Sequence, residues 1–260
     1  MTIIDERYIV ASSLSVAWLD AVTALNAQPK RKAVHLLVRI LDAAAEDLAV
    51  RELAQQLIER SNVGLPDTKH LPDIETTRNT IFPASFARRN PEPEDLAAYY
   101  RERYTKDGLL GFKGNERGTY FGRIVAYPRH DGSCGDQLSD TVRKLRDEMS
   151  GRAPKSSRYE ISIYNEARDT SPMSFPCLAH LSVHLHEQRL HMQAIYRNEL
   201  LVARGYGNFL GLAELQRYIA TAAGVTTGEL LMTIGHAELD ARKRDVQDLL
   251  GPLTDHNELA

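Results

Sequence analysis

The segment from Cys177 to Arg197 constrains the fold of this chain more than any other segment. Its sequence, CLAHLSVHLHEQRLHMQAIYR, is typical of two β-strands joined by a tight turn near Glu187–Arg189. Antiparallel strands that are joined by a short turn lie side by side along their whole length. The hairpin therefore predicts that its two ends, Cys177 and Arg197, lie close together.

A third polar residue, Asn208, stands directly before an apolar run at 209–223 that is typical of a helix. A cysteine becomes a nucleophile only where nearby charge lowers the pKa of its thiol. The guanidinium of Arg197 supplies such a charge, and it also grips a phosphate or carboxylate with two N–H groups. The side chain of Asn208 offers donors and an acceptor that suit the edge of a base. Cys177, Arg197 and Asn208 together predict a site of covalent catalysis.

Each of these residues also has a structural interpretation, which the sequence leaves open. Cys177 is an inert buried thiol in that interpretation, since this is the commonest state of a free cysteine. Arg197 forms an ion pair with Glu199, because a buried guanidinium needs a partner. Asn208 is the N-cap of the helix that follows it.

The remaining pattern predicts an α+β protein with one domain over residues 1–260. Residues 13–26 predict a helix behind a serine cap, and residues 158–165 alternate as a half-buried strand does. Residues 62–93, which contain five prolines, are predicted to be loop with short pieces of structure. Other predicted elements are a strand in AVHLLVRIL, a helix capped by Asp42, a strand in IVAYP after Tyr120-Phe121-Gly122-Arg123, and a strand in GELLMTIGHAEL.

Composition excludes several classes of function. The formal net charge of −3 gives no general attraction to nucleic acid or to an anionic membrane. The sequence has no apolar run of about eighteen residues and no signal-peptide pattern at its start, so a cytoplasmic protein is expected. Two cysteines are too few for a disulfide framework. Zinc needs three or four converging ligands, and the hairpin histidines do not fix such a set, so no metal site is predicted.

At these residues the sequence resembles the thymidylate synthase family. Four features match in order: Pro176-Cys177, Tyr196 with Arg197, Asn208 before a long apolar helix, and the GELLMTIGHAEL strand. The resemblance covers about residues 115–240, whereas residues 1–110 are divergent. It implies the family's fold, which is a mixed β-sheet flanked by helices in a single domain, and it implies a homodimer.

The resemblance also implies a reaction. Cys177 attacks carbon 6 of a pyrimidine nucleotide, and a folate, 5,10-methylenetetrahydrofolate, supplies a one-carbon unit to carbon 5. Arg197, next to Tyr196 in the substrate-binding set, holds the phosphate together with Arg158, which reaches into the neighbouring subunit. Asn208 reads the base. A glutamate of the family orders water over the ring, and Glu75 is the candidate by position, with Glu46 and Glu52 as rivals.

The sequence departs from the family at several positions. Leu200 replaces the aspartate that orients the pterin, and Arg204 replaces a glycine near the site. Glu238 and Asp240 replace the histidine and tyrosine that hold the sugar hydroxyl, and the family's C-terminal tail has no counterpart after Asp240. These departures predict a changed substrate, and folate, if it is used, must be bound differently.

Two functions follow from this pattern. The first is transfer of a methyl or hydroxymethyl unit to a pyrimidine nucleotide or a related ring through a Cys177 adduct. The alternative is a non-catalytic homologue that binds a phosphorylated ligand as a sensor or partner module. In the first function, Arg204, Glu238 and Asp240 belong to the predicted substrate-binding set. In the structural interpretation, Arg204 points to solvent, and Glu238 and Asp240 form a solvated strand end.

Overall fold

A computed structural model describes residues 7–106, 118–152, 159–171 and 176–254. The first half of the chain is mostly helical after two long strands. Its elements are β1 (Tyr8–Ser13), α1 (Leu14–Ala27), β2 (Lys32–Asp42), α2 (Leu48–Asn62), a 3₁₀ turn (Asp67–Lys69), α3 (Ile74–Ile81), α4 (Ala84–Arg89) and α5 (Pro93–Lys106).

The second half supplies most of the sheet and the longest helix. Its elements are α6 (Tyr120–Val125), β3 (Tyr127–Pro128), β4 (Cys134–Gly135), α7 (Gln137–Met149), β5 (Tyr159–Ser162), β6 (Leu178–His186), β7 (Arg189–Tyr196), β8 (Glu199–Leu200), a π-helical turn (Leu201–Gly205), α8 (Tyr206–Ala223), β9 (Thr226–Glu238) and α9 (Lys243–Thr254). The predicted hairpin is confirmed as β6 and β7, and the predicted apolar helix as α8.

Strands from both halves form one mixed sheet. In the described residues it has seven strands in the order β1-β2-β9-β7-β6-β5, with β8 alongside β9. β9 is parallel to β7 and antiparallel to β2, whereas β6 is antiparallel to both β5 and β7. Since helices cover one face, the predicted α+β fold with a mixed sheet is confirmed.

The two faces of the sheet differ in what covers them. Alternate residues of β1, Ile9 and Ala11, are buried against the helices, whereas Tyr8 and Val10 are exposed on the opposite side. The strand register places Ile195 of β7 on that same side. We call this side of the sheet the outer face. It carries exposed apolar side chains, which is unusual for a surface that stays in water.

Helix α8 lies at the centre of the covered face and fixes the neighbouring elements. Gly207 in its first turn lies against α3, because a Cβ there would stand 2.6 Å from Cβ of Thr77 and 2.8 Å from the Ile74 carbonyl. Trp18 of α1 is fully buried and donates its ring N–H to the Leu201 carbonyl at 2.7 Å. Contacts from both α1 and α3 therefore position the start of α8.

One predicted local structure is wrong and another is only half right. Asp42 ends β2, and the cap of α2 is Asp47, whose carboxylate accepts the Ala49 N–H at 2.8 Å. Of the predicted strand IVAYP, the first two residues end helix α6, and only Tyr127–Pro128 form a strand, β3. The proline-rich segment at 62–93 is loop with short pieces of structure, as predicted: a 3₁₀ turn and the short helices α3 and α4.

Candidate active site

The end of the β6–β7 hairpin brings Cys177 and Arg197 together, as the sequence predicts. The backbone N–H of Arg197 donates to the Cys177 carbonyl at 2.9 Å. The Arg197 carbonyl in turn accepts the His236 N–H of β9 at 3.1 Å. Cys177 is half-buried, and Arg197 is exposed with its Nε donating to the Pro176 carbonyl at 3.3 Å. The backbones of both residues are therefore fixed by the hydrogen bonds of the sheet.

Several groups around Cys177 act on its thiol. Burial raises the pKa of the Cys177 thiol, and the nearby carboxyl of Glu199 raises it further. The guanidinium groups of Arg197 and Arg204 lower this pKa, and so does a hydrogen bond between the thiol and Tyr120. The thiol is therefore protonated at rest, in an environment that already contains two cations which favour the thiolate.

Glu199 is the most unusual residue of this cluster, because its carboxyl is almost completely buried. Its relative exposure is 1%, and both of its oxygens face the Nδ2 group of Asn208, at 2.9 and 3.1 Å. Burial raises the pKa of Glu199 to about 8, an effect that the Asn208 hydrogen bond and the Arg204 charge oppose and the Asp240 charge reinforces. Burial therefore favours the neutral carboxylic acid form of Glu199.

Two buried polar atoms beside Glu199 lack a hydrogen bond in the part of the chain that the structure describes. They are Oδ1 of Asn208 and the hydroxyl of Tyr196. The charges of Glu199 and of the Cys177 thiolate both act on the Tyr196 hydroxyl and raise its pKa, after the larger effect of burial. Because helix α8 begins at Tyr206 and the Asn208 amide binds Glu199, the N-cap interpretation of Asn208 is wrong.

The π-helical turn between β8 and α8 contains Arg204 and is bound by Asp240. The carboxylate of Asp240 accepts the N–H groups of Val202 and Ala203 at 2.8 and 3.1 Å, so it holds the first residues of this turn. Arg204 is exposed, and its Nη1 lies 3.5 Å from the Thr77 hydroxyl on α3. Turns of π-helix are frequent at functional sites.

Two other predicted site residues pair with basic side chains, and a third lies outside the described ranges. Glu238 binds Lys32 on β2 at 2.9 Å. Glu75 is half exposed and pairs with Arg78 at 2.6 Å and with Arg51. It lines a cavity of about 460 Å³ between α2 and α3. Among the described residues, the carboxyl that acts on the Cys177 thiol is that of Glu199 rather than Glu75. Arg158 lies outside the described residues.

Sequence reasoning missed two residues of this cluster. Glu199 entered it only as an ion-pair partner for Arg197, whereas the structure bonds its carboxyl to Asn208 on α8. Tyr120 was part of a predicted loop-to-strand junction, but it begins helix α6 and contacts the thiol. The available clue for Glu199 was an acidic residue directly before the apolar run LLVA.

Comparison with known proteins agrees with this geometry. Residues 97–250, more than half of the chain, match the family model described as "Thymidylate synthase". The chain belongs to the thymidylate synthase family. It is also 26% identical, over 182 residues, to a protein of Methanocaldococcus jannaschii named "Putative thymidylate synthase". That alignment covers 69% of this chain and 81% of the relative.

The matched range contains Cys177, Arg197 and Asn208, and it extends from α5 into α9. Membership of the thymidylate synthase family confirms the resemblance and the predicted fold. Leu200, which the resemblance aligns with the pterin-binding aspartate, has no hydrogen-bonding side chain. In the described ranges, every helix is too short or too polar to span a bilayer.

Proposed function

We propose that this chain is a thymidylate-synthase-like transferase in which Cys177 adds to a pyrimidine nucleotide and a one-carbon unit is then transferred to the ring. The observation that supports this proposal is the cluster at the hairpin end, where a half-buried thiol lies among two guanidinium groups, a tyrosine hydroxyl and a neutral carboxylic acid. In the mechanism, the sulfur bonds to carbon 6 and carbon 5 becomes the nucleophile.

Two features favour formation of the thiolate when a ligand is present. The positive charges of Arg197 and Arg204 lower the pKa of the Cys177 thiol. Glu199 opposes the thiolate only when it is ionised, and burial favours its neutral form. The two guanidinium groups therefore offset part of the effect that burial has on the pKa of the thiol.

Arg197 and Arg204 also favour a substrate that carries an anionic group. An exposed guanidinium whose backbone is fixed in a sheet is well placed to bind a phosphate in a bidentate way. Arg197 and Arg204 both follow Cys177 in the chain, and the charge of each lowers the pKa of its thiol. A nucleoside monophosphate held by its phosphate would thus be anchored close to the nucleophile.

The proposed enzyme is a homodimer that contacts its second copy through the outer face. This face exposes Tyr8, Val10 and Ile195, although a sheet of this size is normally covered on both sides or polar on one. Family membership supports a second copy as the covering partner, and Arg158 of that copy would complete the phosphate site. Sedimentation equilibrium of the purified protein tests this, since a monomer at micromolar concentration would contradict it.

The alternative function, a homologue that binds a phosphorylated ligand without chemistry, is favoured by one observation. The net pKa of the Cys177 thiol is raised, chiefly by burial, which by itself makes a poor nucleophile. In that case Arg197 would still bind an anion, and the thiol would remain unmodified.

An adduct experiment separates the two functions. The protein is incubated with 5-fluoro-dUMP or 5-fluoro-CMP together with 5,10-methylenetetrahydrofolate, and its intact mass is measured. We expect a mass increase that matches the nucleotide, which Cys177→Ser abolishes. Cys134→Ser is the matched control, because Cys134 is an exposed thiol on β4 and should leave the adduct unchanged. Unmodified protein with every nucleotide, despite measurable binding, would support the alternative.

A further inference from the structure

The side-chain amide of Asn208 has an N–H₂ donor and an oxygen acceptor, and the donor already binds Glu199. Its Nδ2 group donates to the carboxyl of Glu199, and its Oδ1 has no partner among the described residues. Leaving a buried polar atom unsatisfied costs about 1–3 kcal/mol. Asn208 is 3% exposed, so this unsatisfied acceptor is buried in the interior.

The Glu199 carboxyl offers the complementary group. Both of its oxygens lie within hydrogen-bonding distance of the Asn208 Nδ2 group, and when the carboxyl is neutral one of them also carries a proton that can be donated. Glu199 and Asn208 together therefore contain one donor and one acceptor. This pair matches the cyclic edge –CO–NH– of uracil and equally the edge –C(NH₂)=N– of cytosine.

We propose that Glu199 is the acid that protonates the ring heteroatom on this edge while Cys177 adds to carbon 6. This inference rests on the proposed function and names a catalytic residue for it. Glu199 lies near the thiol, since its charge acts on Cys177, and it is bonded to the base-reading Asn208. The unsatisfied hydroxyl of Tyr196 lies in the same cluster.

The step balances with the groups that are present. Cys177 first loses its thiol proton to water, and the sulfur lone pair then forms the bond to carbon 6. The π electrons of the C5–C6 bond move toward carbon 4, and the electron pair of the C4 double bond moves to its heteroatom, O4 in uracil or N3 in cytosine. That atom takes the proton of Glu199, which becomes a carboxylate. Elimination of the sulfur reverses each transfer and restores Glu199.

The environment of Glu199 is suited to a transient negative charge. Several titratable or charged groups of the described residues act on this cluster. The groups are the thiol of Cys177, the hydroxyls of Tyr120 and Tyr196, the guanidinium groups of Arg197 and Arg204 and the carboxylate of Asp240. Arg204 is the cation among them that stabilises a Glu199 carboxylate, and the Asn208 amide does so by donating to it.

Exchange of the C5 hydrogen for deuterium tests this proposal without a carbon donor. Carbon 5 of the Cys177 adduct is nucleophilic and takes a deuteron from D₂O, while O4 or N3 returns its proton to Glu199. Loss of the original C5 proton to solvent and elimination of the sulfur then leave deuterium at carbon 5. The protein is incubated in D₂O with dUMP, dCMP or CMP, and loss of the C5–H signal is followed by proton NMR. We expect Glu199→Gln to slow exchange by about a hundredfold or more, which is the usual contribution of general acid catalysis. Nucleotide binding, measured by calorimetry, should change little, since glutamine keeps the size and an acceptor for Asn208. The ring that exchanges in the wild type identifies the protonated atom.

A pH profile provides a readout that a structural role of Glu199 would not produce. Thiolate increases with pH, so the wild-type exchange rate should rise and then level off near the Glu199 pKa of about 8. In Glu199→Gln the rate should continue to rise above that pH. Glu59→Gln, which changes an exposed residue of α2 in the same chemical way, should match the wild type.

The outcomes separate the two proposals. Wild-type exchange with an unchanged rate and pH profile in Glu199→Gln would overturn the role of Glu199 and leave the proposed function intact. Absence of exchange in a wild-type protein that binds the nucleotide would overturn both. If Glu199→Gln fails to fold, the wild-type profile decides, because a rate that rises without levelling above about pH 8 contradicts an acid with this pKa.

Discussion

Replacing Glu199 by glutamine should stabilise the protein increasingly as the pH rises. Burial holds the pKa of Glu199 at about 8, against 4.5 for an unperturbed glutamate. Between these two values the unfolded chain carries an ionised glutamate, whereas the folded protein keeps it protonated. The folded state therefore binds one proton more, and its stability falls with pH across this window.

The magnitude follows from the two pKa values. One bound proton corresponds to about 1.4 kcal/mol of unfolding free energy for each pH unit. Over the whole window Glu199 would lower the stability by about 5 kcal/mol, an upper estimate because relaxation of the site reduces it. Glutamine does not titrate, so the variant avoids this loss. The difference in unfolding free energy between Glu199→Gln and wild type should thus grow by about 1.4 kcal/mol for each pH unit.

Urea unfolding at about pH 5.5, 6.5 and 7.5 measures this slope, all at one protein concentration. Trp18 provides the fluorescence signal, because it is the single tryptophan of the chain and is fully buried. The slope is more informative than the offset, since the offset also contains the altered hydrogen bond to Asn208. A difference that stays constant over the three pH values would refute a raised pKa at Glu199.

Two further substitutions test the packing that positions the site, each by urea unfolding. Gly207→Ala should cost about 1–3 kcal/mol or more, because the new methyl group would stand 2.6 Å from Cβ of Thr77; Gly251→Ala, which meets open space in α9, should cost nothing. Asp169→Asn should cost about 3–5 kcal/mol, because it removes the charge that pairs with the buried guanidinium of Arg123 and keeps an oxygen for only one of the two bonds, of 2.6 and 2.8 Å.

The hairpin and its neighbours could be predicted from the sequence because their patterns are strong. Strand alternation in β6 and β7 and the long apolar run of α8 each determine one structure. The position of the hairpin turn then places Cys177 beside Arg197 without any knowledge of tertiary contacts. These are the residues for which local pattern and final structure agree.

The role of Glu199 could not be predicted in the same way. Its pKa depends on burial by elements that are distant in sequence, and on the Asn208 amide, which α8 supplies. The predicted cap of α2 was wrong for a related reason. Asp42 and Asp47 are equally good caps, and the length of β2 decides between them. Tertiary context, rather than propensity, selects one candidate among chemically equivalent residues.

The backbone bond between Arg197 and Cys177 has a consequence for how this scaffold can change. Because main-chain atoms set the spacing of the two positions, any pair of side chains placed there will face the same ligand at the same separation. Main-chain packing also constrains β9 next to this bond, since a Cβ at Gly235 would stand 3.0 Å from the Arg197 carbonyl. New substrates are thus accessible by exchanging side chains on an unaltered frame, and the frame itself tolerates little alteration.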